Sequence, residues 1–66
     1  MEISQLITEQ MREKRMSGRR LARLLGVHPQ TIVWWRSGRR RPGVQNIMPL
    51  SVALDIDPAE LLKSSN

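Results

Sequence analysis

The stretch Gly18 to Ser37, GRRLARLLGVHPQTIVWWRS, constrains the fold of this chain more than any other part of it. It reads as two short helices joined by a tight turn. Leu21, Leu25, Ile32 and Trp35 are the apolar anchors. Ala22 is small where two helices cross closely, and Gly26 stands just past the first apolar run, where a left-handed residue best ends a helix. Val27 closes the turn. His28-Pro29 opens the second helix, with proline at the first helical position, where its fixed φ fits and its missing N–H costs little. Ile32 and Trp35 are three apart and give that helix one buried face.

Charge is concentrated on the same region. Ten of the eleven basic residues lie between Arg12 and Arg41, and Glu13 is the one acid among them. The rest of the chain sets Lys63 against Glu2, Glu9, Asp55, Asp57 and Glu60. A small domain with this asymmetry presents one basic face, which attracts polyanions and releases their counterions. Sixty-six residues make one small domain with a modest core, and with no cysteine neither a disulfide nor a Cys-based metal site supports it. No apolar run is long enough to cross a membrane. The amphipathic, acid-bearing start is unlike a signal peptide, so the expected location is cytoplasmic.

In chain order, Glu2 to Arg15 reads as a first helix with Ile3, Leu6, Ile7 and Met11 as its stripe. Ser17 is an N-cap for the helix Gly18 to Leu25, whose first turn carries Arg19 and Arg20 against the preference of the helix dipole. A phosphate bound at that N-terminus would make sense of them. The next helix spans about Pro29 to Arg36, and Gly38 ends it. Arg39, Arg40 and Arg41 form a basic loop ordered by Pro42. Val44 to Leu54 reads as a fourth helix with Ile47, Met48, Leu50 and Leu54 inward, and Pro49 should kink it or delay its regular start. Asp57 caps a fifth helix, with Pro58 and Glu60 in its first turn. Capping explains Asp57 and Glu60 more simply than a metal site would, and His28 has no second His or Cys to complete one. The expected domain is 1–63, with 64–66 frayed.

The set Leu21, Ala22, Leu25, Gly26, Val27, Ile32 and Trp35, continued by Gly38, Pro42, Leu54 and Leu61, resembles the lambda-repressor-like, or Xre-type, helix-turn-helix family. The resemblance implies an all-α, five-helix domain that binds double-stranded DNA in a sequence-specific way as a small transcriptional regulator of phage or prophage type. It implies that Pro29 to Arg36 is the recognition helix, laid in the major groove. Gln30 and Val33 would then read an adenine edge and a thymine methyl. Trp34 either joins them or packs under the Arg39–Arg41 loop. Phosphates would be held by Ser17, Arg19, Arg20, His28, Thr31, Arg36, Ser37, Arg39, Arg40 and Arg41. Gly18 stands where the family often has a phosphate-contacting Gln, so Arg19 and Arg20 substitute for it.

Arg36 is a second departure. Many members carry Glu there, paired with an Arg matching Arg12. With both positions basic, Arg36 turns outward, pairs with Glu9 or Glu13, or reaches DNA; phosphate binding is the favoured reading. Recognition of a palindrome implies a weak homodimer, one able to form on the DNA itself, through Leu61 and Leu62 or a surface on the fourth helix. No cofactor, metal or small-molecule ligand is expected. Two other classes use the same fold: a protein-interaction module and a non-specific nucleic-acid binder. An enzyme is not expected, because the chain has no nucleophile–base pair, ligand cluster or phosphate-binding glycine loop.

Overall fold

The computed structural model describes residues 2–64, which form five α-helices and no strand. Helix α1 spans Ile3–Glu13, and its apolar spacing turns Ile3, Ile7 and Met11 inward. The chain leaves α1 through Arg15 at φ 53°, and the Met16 N–H donates to the Met11 carbonyl at 2.9 Å. Helix α2 (Gly18–Leu25) starts on Ser17, whose Oγ accepts the Arg20 N–H at 3.1 Å. It ends at Gly26, φ 69°, where the Val27 N–H returns to the Ala22 carbonyl. Only a residue at ease with positive φ closes this turn so tightly.

Helix α3 (Pro29–Ser37) is capped by the His28 ring: Nδ1 accepts the Gln30 N–H at 3.0 Å. It runs one residue past the expected end and stops at Gly38, φ 80°. Helix α4 (Val44–Leu54) is continuous through Pro49, so its regular start is not delayed. The carbonyl that a Pro49 N–H would have met belongs to Gln45, an exposed residue of the first turn, where water can serve it. Helix α5 (Pro58–Lys63) begins on Asp57, whose Oδ1 accepts the Ala59 N–H.

Helices α2 and α3 pack on each other, α1 lies across α3, and α4 joins α2 to α5. One core results, built of Ile3, Ile7, Met11, Leu21, Ala22, Ile32, Trp35, Ile47, Leu50, Leu54, Ile56 and Leu61. Two helix ends are closed from a distance. Gln10 Nε2 donates to the Leu54 carbonyl at 2.8 Å, so α1 caps α4. Arg41 donates to the Ser64 carbonyl at 2.7 Å and the Leu61 carbonyl at 3.3 Å, so the basic loop caps α5.

Two expectations need correction. Met48 is 59 % exposed rather than inward, because Ile47, Leu50, Ser51 and Leu54 already complete the buried side of α4. Leu61 is wholly buried, so it belongs to the core and offers no dimer contact; Leu62 beside it is 58 % exposed. Ser64, the first residue of the expected tail, accepts from Arg41 through its carbonyl and donates its own Oγ to the Glu60 carbonyl. Ser65 and Asn66 lie outside the described residues.

Candidate nucleic-acid interface

Helix α3 has two sides of different character. With about 100° per residue, Gln30 and Ser37 fall opposite the inward pair Ile32 and Trp35. Val33 lies to one side of them and Trp34 to the other. Gln30 and Val33 are exposed, and Val33 keeps more than half its surface in water. An amide and an isopropyl group therefore stand together on an outward helix face, with no competing partner for the amide among the described residues.

Cations border this face. The N-terminus of α2 rests on α3: a Cβ placed on Gly18 would lie 3.6 Å from Ile32 Cγ2. Arg19 and Arg20 follow directly, both exposed, at a helix end whose N–H groups already favour an anion. The Ser17 hydroxyl accepts within its cap and keeps its proton to donate. His28 is exposed, and with Nδ1 accepting, its ring proton sits on Nε2. Thr31 is half-buried on the flank of α3.

On the opposite flank Arg36 lies against α1, its Nε 3.5 Å from Thr8 Oγ1. Neither Glu9 nor Glu13 forms an ion pair with it among the described residues, where the one ion pair is Lys14–Asp55. Arg12 and Arg36 line the same shallow cleft between α1 and α3, together with Thr8 and Glu9. That cleft adjoins a second depression formed by Thr8, Val33, Arg36 and Ser37, so Arg36 opens onto the outward face of α3.

The three loop arginines have separate environments. Arg39 is exposed. Arg40 places its guanidinium carbon over the Trp34 ring, 4.0 Å from the centroid. Arg41 gives two of its N–H donors to the carbonyl end of α5, so it is less available to a phosphate than its neighbours. Ser37 Oγ likewise donates its proton to the Trp34 carbonyl at 3.2 Å. Trp34 takes the second of its two expected arrangements: it is half-buried beneath the loop, with one ring face under Arg40.

Sequence spacing missed the partner that Arg41 finds, since α5 lies twenty residues further on and only the tertiary fold brings them together. It also missed Gln10, whose cap on α4 has no local signature.

The helix-turn-helix family model matches residues 7–61, most of the chain. The chain belongs to the lambda-repressor-like helix-turn-helix family. A search of curated proteins gives no match. Among solved structures, the chain is similar to the P22 c2 repressor, solved in complex with synthetic operator 9T in the presence of Tl+. The two share 25% identity over 98% of each chain, with a TM-score of 0.88. The fold expected from the residues of the helix-turn-helix, all-α with five helices, is thus the fold of this family. Among the described residues no helix is long and apolar enough to cross a membrane.

Proposed function

We propose that this protein is a sequence-specific double-stranded DNA-binding transcriptional regulator, a small repressor of phage or prophage type acting in the cytoplasm. One observation carries the reading: the outward face of α3 bears Gln30 and Val33 and is bordered by Arg19, Arg20, Arg36 and Arg39, none engaged in an ion pair among the described residues. The P22 c2 repressor, similar over nearly its full length, is itself bound to an operator.

In this role Gln30 pairs through its amide with an adenine edge, and Val33 packs on a thymine methyl. Arg19, Arg20, Arg36, Arg39 and Arg40 hold phosphates, helped by Ser17, His28 and Thr31. Direct readout and backbone contact are thereby given to different residues. Family membership supports regulation over catalysis.

Helix α3 has nine residues and is about 13 Å long, enough to face about four base pairs. So short a site is not rare in any genome, and useful specificity comes from two copies on a palindrome. Leu62 on α5, Val44, Met48 and Val52 on α4 and Leu24 on α2 are the exposed apolar groups available for such a contact. The dimer of this reading is weak and forms on DNA.

Selection from a randomised duplex pool at near-physiological salt tests this. A two-fold symmetric consensus is the expected result. Retention without enrichment would make the protein a non-specific binder, and no retention would leave a protein-interaction module. Single variants then test the division of roles. Gln30→Ala should relax preference at one base pair by about 1–3 kcal/mol. Arg19→Ala should weaken all sequences alike and lower the salt slope by about 0.9. Equal behaviour of the two variants would overturn the assignment.

A further inference from the structure

We propose that Trp34 acts as a positioning residue: its ring holds the Arg40 guanidinium in place for a backbone phosphate and reads no base. The inference rests on the DNA-binding reading above and names a device within that interface.

The arrangement is set by the chain itself. Gly38 at φ 80° turns the backbone over the end of α3. The Trp34 carbonyl then accepts both the Arg39 N–H at 2.9 Å and the Arg40 N–H at 3.3 Å. These bonds bring residue 40 back over residue 34, and the guanidinium comes to lie on the indole, 4.0 Å from the ring centroid. Among the described residues the Arg40 guanidinium has no hydrogen bond and no ion pair. Its neighbour Arg41 differs in this respect, since two of its donors go to backbone carbonyls. Arg40 is thus held without being neutralised.

A long flexible side chain loses rotamer freedom when it grips a phosphate. A guanidinium already stacked on a ring has given up much of that freedom, and the stack leaves its in-plane N–H groups free to form a bidentate contact. Trp34 in turn is half-buried with one ring face covered, a poor disposition for stacking on a base.

The test uses the full chain and the duplex it selects. In the free protein, the Arg40 side-chain protons should show upfield ring-current shifts that vanish in Trp34→Leu. Trp34→Leu should weaken binding about two- to fivefold, the usual range for an exposed cation–π contact, with an unchanged consensus. Trp34→Phe, which keeps a ring face, should bind within about twofold of the original chain. Arg40→Lys leaves α3 untouched and keeps the charge but not the plane. It should weaken the original chain more than it weakens the Trp34→Leu chain. The Trp34→Leu and Arg40→Ala changes together should be no worse than Arg40→Ala alone.

An altered consensus in Trp34→Leu would overturn the proposal in favour of base reading. Additive losses, full binding by Trp34→Leu, or the absence of ring-current shifts would overturn it as well. If the unmodified chain retained no duplex at all, the DNA-binding reading would fail and this proposal with it. Failure of the variants alone leaves that reading standing.

Discussion

Arg39, Arg40 and Arg41 are three identical neighbours with three different surroundings. Arg39 is exposed, Arg40 lies on an indole, and Arg41 closes the carbonyl end of α5. The last contact makes Arg41 a stabilising residue. Arg41→Ala should lower stability by about 1 kcal/mol, a melting-temperature drop of about 4–8 °C for a chain of this size, and leave the salt dependence of DNA binding unchanged. Thermal melting and a salt titration on one preparation check both. A slope reduced by a full phosphate contact would return Arg41 to the interface. The run of arginines announces a basic loop in the sequence, but a side chain's direction depends on what the fold sets beside it. Leu61 and Leu62 teach the same lesson: adjacent leucines on a six-residue helix offer no periodicity to tell core from surface, and α4 decides which one is covered.

At the scale of elements, caps and apolar spacing carried most of the information. Ser17, Gly26, Pro29, Gly38 and Asp57 mark helix boundaries in the sequence and stand at those boundaries in the structure. These signals are local, so they survive without knowledge of the tertiary fold. Pro49 is the exception. Its ring costs a hydrogen bond within α4, yet the helix holds because the packing of Ile47, Leu50 and Leu54 outweighs one missing bond. Pro49→Ala should therefore stabilise the protein by about 2 kcal/mol, read as a raised urea midpoint with an unchanged slope. A fall in the midpoint would mean that the proline fits the native backbone without cost and stiffens the unfolded chain. The shallow apolar depression formed by Leu24, Met48, Pro49 and Val52 lies between α2 and this helix.

The fold measures 25 × 22 × 20 Å, with a core of twelve residues among those described. A core this small supplies about 3–5 kcal/mol, and the chain has no disulfide to add to it. Leu50 is fully buried in it. Leu50→Ala, at a cost of about 2–5 kcal/mol, should leave much of the protein unfolded at room temperature by far-UV circular dichroism. A melting curve with a high, cooperative midpoint would show that dimerisation or tighter packing carries stability beyond this core. The class of fold was legible because one face of each long helix repeats at the helical period. The division of labour within the basic face was less legible, because it depends on which flank of α3 meets α1 and which meets the loop. The adjacent tryptophans add one consequence. Trp35 is 3 % exposed in the core, while Trp34 sits at the surface beneath a cation. The unlabelled chain thus carries two light-emitting groups one bond apart in sequence and in different media. The emission of Trp35 follows the loss of the fold, the emission of Trp34 follows events at the bound face, and a Trp34→Phe chain separates the two signals.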